Sequence, residues 1–191
     1  MKRRLPRRRP TYRFASVRAH LRRHGVIAYA TESCFGFGCD PRDVRAIETI
    51  LRLKHRPWHK GLITVAAKFE HAASLVQPLD APARAFTDQH WPGPTTFLLP
   101  HSKRSLPHLT GRHATLALRI SAHPEIQTLC RDLRMALVST STNIAGHKPV
   151  KTYREALRQF GGRVRVLRGR IGQRKQASTL IDARTGKVLR P

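Results

Sequence analysis

Apolar and polar residues alternate along this chain with two periods, and each period predicts one kind of element. Apolar residues spaced by about 3.6 positions are typical of amphipathic helices. On this basis helices are expected to begin near Phe14, at Asp40 and Pro41, at Pro124 and after Thr152. The second helix would run to about Leu53, with Asp40 as its N-cap and Pro41 at its first position. Thr152 and Glu155 form a capping-box pattern for the last helix.

Short apolar runs bounded by glycine, proline or polar residues predict the strands. They read VIAYA, LITVAA, TFLLP, LALRIS, MALVS, VRVLRG, STLIDA and KVLR, at residues 26–30, 62–67, 96–100, 116–121, 135–139, 164–169, 178–183 and 187–190. Two helical stretches are expected between LITVAA and the turn WPGPTT. The segment 31–41 is interpreted as a loop, because Gly36 and Gly38 allow backbone angles that other residues avoid. Strands that alternate with helices predict an α/β fold, with a twisted sheet of parallel and antiparallel strands flanked by helices.

Length and composition favour one folded domain. The 191 residues lie near the usual length of a single domain, and 40% hydrophobic with 25% charged residues is typical of globular proteins. Residues 1–12 form a basic tail, so the domain is placed at residues 13–191. The tail lacks the apolar core of a signal peptide, and no run approaches the length of a membrane span, so the protein is expected to be soluble and cytoplasmic.

The net charge widens the range of possible ligands. Lys and Arg number 37 against 11 Asp and Glu, which gives a formal charge of +26. A field of this sign attracts nucleic acids, nucleotides and anionic membranes alike, so it does not identify the ligand.

The cysteines and histidines indicate no metal site. Cys34, Cys39 and Cys130 make no CxxC pair, and His55 and His59 have no carboxylate or cysteine close by in the sequence. Neither a disulfide framework nor a zinc site is therefore predicted, and the thiols are expected to be buried bystanders.

Hydroxyl and amide side chains crowd the stretch VSTSTNIAG, residues 138–146, directly after an apolar run. Short polar side chains and backbone N–H groups at a strand exit can bind an anion or a ribose. A turn rich in Ser and Thr, whose side chains bond their own backbone, explains the same residues and is the more common case when the stretch is taken alone.

Three other polar positions each allow two interpretations. Lys54 and Arg56 suit phosphate oxygens, but cations at a helix end also complement the helix dipole. Thr31 and Glu32 follow a strand and could hold a small substrate or cap the loop. Arg119 lies in an apolar strand, so it either meets an internal acid or points into a cleft that binds a carboxylate or phosphate.

Taken together, ATE, KHRP with KGLI, WPGPTTF, LALRI, VSTSTN and STLID follow one another in an order that resembles the YrdC/Sua5 family of threonylcarbamoyl-AMP synthases, in its short single-domain form. The resemblance covers essentially everything from Gly25 onward. The conjunction of these motifs is far more specific than any one of them, and it implies a YrdC-like fold with a wide, basic, concave groove.

The resemblance also implies roles for individual residues. The K-x-R signature falls on Lys54 and Arg56, which are the implied catalytic residues, and the S-x-N signature on Ser141 and Asn143. The implied ATP-binding positions are Lys54, Arg56, Thr96, Ser139, Ser141 and Asn143. Thr31 and Arg119 would bind threonine, and Ser178 matches a recurrent polar position without an assigned role.

Two positions depart from the family pattern. Ala30 stands where proline usually precedes Thr-Glu, and Thr142 stands where alanine is usual inside S-x-N. Neither change removes a functional side chain. The arginine-rich tail is also outside the pattern.

The implied reaction combines L-threonine, bicarbonate or CO2, and ATP into threonylcarbamoyl-adenylate and pyrophosphate, which makes the protein a nucleotidyltransferase. Mg²⁺ would accompany ATP, and no resident metal is implied. The product would serve N6-threonylcarbamoyladenosine formation at tRNA position 37, through a downstream threonylcarbamoyl-transferase complex, and binding of tRNA itself is possible. No side chain stands out as a general base.

A non-catalytic RNA-binding module for tRNA or rRNA is the alternative, and the net charge supports it. The charge is spread along the whole chain, whereas the matched polar motifs gather at predicted strand exits. This difference favours the enzyme.

Overall fold

The computed structural model describes residues 14–144 and 147–191, so the predicted tail at residues 1–12 lies outside the described residues. The helices are α1 (Phe14–Arg22), α2 (Val44–Lys54), α3 (Ala81–Asp88), α4 (Pro107–Thr110), α5 (Pro124–Leu133) and α6 (Tyr153–Phe160). The strands are β1 (Ile27–Ala30), β2 (Phe35–Gly38), β3 (Ile63–Ala66), β4 (Thr95–Pro100), β5 (Thr115–Ile120), β6 (Leu137–Ser141), β7 (Arg165–Val166), β8 (Thr179–Asp182) and β9 (Val188–Arg190).

The strands form one mixed sheet in the order β7-β1-β2-β6-β3-β5-β4-β8-β9. The pairs β1 with β7, β3 with β5, and β4 with β8 are parallel, and the other neighbours are antiparallel. The predicted α/β fold with a mixed sheet is therefore confirmed. Within the described part of the chain, no helix is long and apolar enough to cross a membrane.

Apolar residues cover the sheet on both faces. On one face Phe35 and Phe37 pack in a cluster with residues of α2 and α6. On the other face Tyr29, Val65 and Leu137 pack with residues of α1 and α5. Burial of these apolar side chains is the main favourable contribution to folding. The second face also carries polar positions, which form the candidate site.

The prediction of a loop over residues 31–41 is wrong, because β2 lies within it and pairs with both β1 and β6. Phe35 and Phe37 are fully buried, so the FGFG stretch alternates as a strand does. The glycines serve close packing and have no unusual backbone angles: a Cβ at Gly38 would lie 2.5 Å from the ring of Tyr29.

The predicted start of the second helix at Asp40 is also wrong, because α2 begins at Val44. Asp43 is the N-cap, and its side chain accepts a hydrogen bond from the backbone N–H of Ala46 at 3.2 Å. Asp40 instead accepts a hydrogen bond from the N–H of Arg42 at 2.9 Å, which forms a local turn. The proline after Asp40 made the earlier position look like a helix start.

The region between β3 and β4 contains one α-helix, α3, and two single 3₁₀ turns in place of the two expected helical stretches. The other predicted helices and strands are present. In α6 the capping box is complete, since Thr152 and Glu155 each bond the other's backbone.

Candidate active site

Several polar positions singled out from the sequence lie on the face of the sheet that carries Tyr29, Val65 and Leu137. Arg119 and Leu137 both pair with Val65, so they point to the same side. Ser139 and Ser141 lie two and four residues beyond Leu137 on β6, and side chains alternate along a strand. Strands β5 and β6, on either side of β3, therefore bring Arg119, Ser139 and Ser141 to one face.

Gly36 leaves room between two of the predicted substrate-binding residues. A Cβ at Gly36 would lie 3.2 Å from Cγ2 of Thr31 and 3.7 Å from Oγ of Ser139. The backbone N–H and the hydroxyl of Thr31 both donate to the carbonyl of Cys34, at 2.9 and 2.8 Å. Thr31 is thus held by the turn between β1 and β2, with the space beside it free of a side chain from Gly36.

Lys54, the last residue of α2, reaches the end of β6. Its Nζ donates hydrogen bonds to the carbonyl oxygens of Ser141 and, at 2.7 Å, of Asn143. Burial, and then the neighbouring positive charge of Arg56, lower the pKa of Lys54 to about 8. The structure therefore brings the lysine of the K-x-R signature into contact with the S-x-N segment.

Arg56 is directed by a left-handed residue at the end of α2. His55 has φ 48°, which turns the chain after the helix. Nε and Nη2 of Arg56 donate to the carbonyl of Gly61, at 3.0 and 2.9 Å, and Nη2 also donates to that of Lys60 at 3.1 Å. Burial lowers the pKa of Arg56. In the described part of the chain, no acidic side chain forms an ion pair with Arg56 or Lys54.

The S-x-N segment is tied to β2 by the residue that departs from the family pattern. The N–H and the hydroxyl of Thr142 both bond the carbonyl of Phe35, at 3.0 and 3.1 Å. Asn143 donates through Nδ2 to the carbonyls of Ile144 and His147, at 3.1 and 2.7 Å. Its Oδ1 is buried and has no hydrogen-bond partner within residues 14–144 and 147–191. The asparagine is therefore held through its amide nitrogen, whereas its oxygen is unpaired.

Arg119 meets an internal acid. Its Nη2 lies 3.0 Å from Oε2 of Glu32, and the two side chains are only 9% and 15% exposed. The hydroxyl of Ser121 donates to the other oxygen of Glu32, Oε1, at 2.6 Å. Of the two interpretations of this arginine, the internal acid is thus observed. The role of Arg119 in binding threonine stays a prediction.

Thr96 and Ser178 meet directly. The hydroxyl of Thr96 donates to that of Ser178 at 2.7 Å, and both residues are buried. Arg190 of β9 donates through Nε and Nη2 to the carbonyl of Ser178, at 3.1 and 2.9 Å. Two polar positions that are 82 residues apart in sequence therefore form one cluster beside β4.

The thiol of Cys34 lies under the influence of both cationic parts of the site. The charges of Lys54 and Arg119 each act to lower its pKa, but burial dominates and raises it. Cys34 is buried and free, as are Cys39 and Cys130, which agrees with the prediction of buried thiols. The described ranges contain no group of three or more His, Cys, Asp or Glu side chains that could hold a metal ion.

Sequence reasoning did not assign the partners of the site residues. The sequence indicates Glu32 only as a polar residue that, with Thr31, follows a predicted strand, and it gives Arg190 no role. The lone cation in the apolar strand β5 called for an acid, and Glu32 is an acid beside a predicted site residue. This signal could have identified the pair. Nothing comparable in the sequence indicates that Arg190 reaches Ser178.

A cavity of about 810 Å³ lies between the ends of α2 and α6, and of the predicted site residues only Asn143 lines it. Arg52 and Arg163 also line this cavity. Arg163 donates to the carbonyl of Gln159 at 3.1 Å, and Arg52 to the hydroxyl of Thr49 at 3.1 Å. Arg52 lies in the last turn of α2 and Arg163 follows α6, where both complement the helix dipole. The candidate site is placed at the sheet because most of the predicted site residues lie on its strands or at their ends.

Comparison with known proteins identifies relatives over nearly the whole chain. The Sua5/YciO/YrdC family model, described as "Telomere recombination", matches residues 19–191. A threonylcarbamoyl-AMP synthase from Chromobacterium violaceum is 53% identical over 174 residues, which are 91% of this chain and 90% of that protein. The protein of the same name from Laribacter hongkongensis is 52% identical over 181 residues, 95% of this chain and 97% of that one.

Solved structures of the same family superpose on this fold. P. abyssi Sua5 in complex with L-threonine matches with a TM-score of 0.84 and 27% identity, over 93% of this chain and 53% of that protein. The chain therefore spans about half the length of that Sua5. YciO from E. coli matches with a TM-score of 0.79 at 24% identity, over 93% of this chain and 87% of that one, which bears on the fold alone.

Proposed function

The chain belongs to the Sua5/YciO/YrdC family, and on this premise we propose that it is an enzyme that makes L-threonylcarbamoyl-adenylate from L-threonine, bicarbonate or CO2, and ATP. Pyrophosphate leaves in this reaction, so the enzyme is a nucleotidyltransferase. The identity of about half of all aligned residues with two proteins named threonylcarbamoyl-AMP synthase is the observation that carries the proposal. The complex of P. abyssi Sua5 with L-threonine supports the choice of amino acid.

The phosphates of ATP are proposed to bind near Lys54, Arg56, Ser141 and Asn143. Contact between Lys54 and the carbonyls of Ser141 and Asn143 supports this assignment, because it gathers the two signatures at one point. An ammonium and a forked guanidinium both suit phosphate oxygens. Thr96, Ser139 and Ser178 are proposed to contribute hydroxyl groups to the nucleotide, whereas Thr31 and Arg119 bind threonine.

Catalysis of this reaction depends mainly on positioning the substrates and on stabilising negative charge. Once the amine of threonine has been carboxylated, an oxygen of the carbamate attacks the α-phosphorus of ATP, and the bond to pyrophosphate breaks. Negative charge accumulates on the phosphoryl oxygens and on the departing pyrophosphate. Lys54 and Arg56 stabilise this charge, and the fixed hydrogen bonds around them keep the rearrangement of the site small.

Mg²⁺ is proposed to enter with ATP. Mg²⁺ is commonly held by substrate phosphates and water with one or two carboxylates. This fits a chain whose described residues offer no cluster of three metal-binding side chains. The ion would neutralise part of the phosphate charge.

The product is a mixed anhydride, which calls for a second enzyme that transfers its threonylcarbamoyl group. We assign that role to a transferase complex acting on adenosine 37 of tRNA, and we place the reaction in the cytoplasm. The chain's excess of 37 basic over 11 acidic residues favours a brief association with tRNA during this transfer.

The deciding experiment is to incubate the purified protein with ATP, Mg²⁺ and bicarbonate, with and without L-threonine, and to analyse the products by mass spectrometry. Formation of threonylcarbamoyl-adenylate and pyrophosphate that depends on both threonine and bicarbonate is expected. L-Serine in place of threonine provides a control for selectivity. A folded protein that binds RNA at physiological salt but makes no adenylate would favour the non-catalytic RNA-binding module.

A further inference from the structure

One carboxylate contacts a cation of the candidate site. In a chain with formal charge +26, Glu32 forms an ion pair with Arg119, and both side chains are largely buried. The other ion pairs of the described residues involve no candidate site residue. Glu32 therefore makes the region around Arg119 less positive than the region around Lys54 and Arg56.

The position of Glu32 is fixed from both sides. Ser121, which is fully buried, donates to Oε1 of Glu32 at 2.6 Å and accepts a hydrogen bond from the N–H of His123 at 3.0 Å. On the backbone side, the carbonyl of Glu32 accepts from the N–H of Arg174 at 3.1 Å. The carboxylate is thus held in place before any ligand arrives.

The segment that carries Arg174 packs closely against this turn. The N–H of Gly172 donates to the carbonyl of Thr31 at 2.9 Å, and a Cβ at position 172 would lie 2.7 Å from the carbonyl oxygen of Glu32. A larger residue at position 172 would push the segment away from the turn. The close contact leaves Glu32 little freedom to move away from Arg119.

The polar atoms of the ion pair are not fully used. Oε2 of Glu32 has only the ion pair with Nη2 of Arg119, at 3.0 Å, and Nε of Arg119 is buried and makes no hydrogen bond within the described ranges. A zwitterionic amino acid supplies the matching groups, because its ammonium can donate and its carboxylate can accept. A phosphate group offers acceptors only, and its repulsion by Glu32 grows with its charge.

We propose that Glu32 is a specificity residue that reserves Arg119 for an amino-acid zwitterion and keeps phosphate groups at Lys54 and Arg56. This inference rests on the proposed function, and it adds the reason why two cationic regions of one strongly basic protein take different ligands. Arg119 without its acid would attract phosphate as the other cations do. With the acid, the pair is close to neutral and no longer attracts polyanions.

The test is whether inorganic pyrophosphate competes with L-threonine, measured by titration calorimetry of threonine binding with and without pyrophosphate. In the wild-type protein pyrophosphate is expected to leave threonine affinity unchanged within about twofold. In Glu32→Gln, pyrophosphate is expected to lower the apparent threonine affinity about tenfold or more, because a single unpaired charge is worth at least that factor. Glu32→Asp, which keeps the charge, should behave as the wild type does.

Glu70→Gln is the matched control, since it removes the same charge from a side chain that is 63% exposed and outside the site. Competition in the wild type, or its absence in a folded Glu32→Gln, would overturn the inference. If Glu32→Gln does not fold by circular dichroism, Ser121→Ala takes its place. This variant removes the 2.6 Å bond and retains the ion pair, so partial competition is expected and its absence counts against the inference. Wild-type protein that binds no threonine would instead overturn the proposed function.

Discussion

The two cationic regions of the candidate site, Lys54 with Arg56 and Arg119 alone, differ in whether a carboxylate neutralises their charge. Lys54 is buried and Arg56 half-buried, and both donate only to backbone carbonyls, so no acid of the described residues neutralises them and burial lowers their pKa values. Arg119 is as deeply buried as Lys54, but a carboxylate faces it at 3.0 Å. The first region has the charge to meet a polyanion, whereas the second suits a ligand that carries both signs.

The difference shows why a net charge of +26 cannot identify a ligand. Charge on the surface attracts any polyanion, whereas selectivity depends on whether a particular buried cation is neutralised by its neighbours. The following experiments change one of the two regions at a time.

The largest effect is expected on removing the charge of the first region. Lys54→Ala or Arg56→Ala should lower the rate of adenylate formation by about 10²-fold or more, because each removes a donor to the developing phosphoryl charge. Pyrophosphate release in single-turnover mixtures provides the measurement. Arg52→Ala, an exposed cation on the same helix, is the control. Near-normal turnover in either variant would refute the assigned roles.

The second-largest effect is expected on the pH dependence of the rate, which distinguishes a lysine from an arginine at position 54. With a pKa of about 8, Lys54 loses its charge above that pH, so the rate should fall about tenfold for each further pH unit. Lys54→Arg should remove this fall, because a guanidinium stays charged throughout the range. A wild-type rate that stays flat to pH 10 would show that the charged lysine is not required.

The titration of Lys54 itself does not weaken folding over the same pH range. The pKa of Lys54 is lower in the folded protein than its ordinary value of 10.5, so between pH 8 and 10.5 the unfolded chain binds more protons than the folded one. The contribution of this residue to the free energy of unfolding therefore rises with pH in that window. Urea denaturation of the wild type and of Lys54→Met at pH 8 and pH 9.5 tests the sign. The difference between the two proteins isolates Lys54, because the buried thiols and Tyr29, whose pKa values are raised, act in the opposite direction in both.

A smaller effect is expected at the space beside Thr31. Gly36→Ala would place a Cβ 3.2 Å from both the side chain of Thr31 and the carbonyl of Thr140. We expect threonine affinity to fall about threefold to tenfold, in the range that one displaced contact costs, while ATP affinity stays the same. Gly162→Ala is the control, because nothing lies within 4 Å of its added Cβ. Equal losses for threonine and ATP would indicate a general distortion of the sheet.

The smallest effect is expected where two hydroxyl groups meet. Thr96→Val removes the 2.7 Å bond to Ser178 and should lower the free energy of unfolding by about 1 kcal/mol. Thr64→Val is the opposite case, since Oγ1 of Thr64 is buried without a partner in the described residues, so the same substitution there should be neutral or stabilising. Urea denaturation of both variants tests the contrast, and an equal loss in both would contradict it.

The fold was largely predictable because most elements follow one periodicity at a time. Strand β1 reads as a continuous apolar run, and α5 places Ile126, Leu129 and Leu133 on one buried side. Strand β2 could not be predicted from FGFG, because glycine suggests a turn. The glycine at position 38 is required because a Cβ there would be too close to the ring of Tyr29 on the neighbouring strand β1. Close packing between strands is not visible in a local pattern.

The members of the candidate site follow from the family resemblance, whereas the contacts between them could not be predicted from the sequence. The resemblance selected Lys54, Ser141, Thr96 and Ser178, and the structure brings the first pair and the second pair together. Those contacts depend on how the sheet orders its strands, which single-residue chemistry does not specify. The roles of these residues in binding and catalysis remain predictions.

The hydrogen bonds of Arg56 also have an optical consequence. Arg56 is bound to the carbonyls of Lys60 and Gly61, at the end of the short 3₁₀ turn Trp58–Lys60, and Trp58 is 44% exposed with Arg112 near its ring. A nucleotide that binds at Arg56 brings negative charge next to the turn that carries this indole. The chain has two tryptophans, and the second, Trp91, donates its N–H to the carbonyl of Thr95. Trp58 is therefore a built-in fluorophore for following nucleotide arrival without a label.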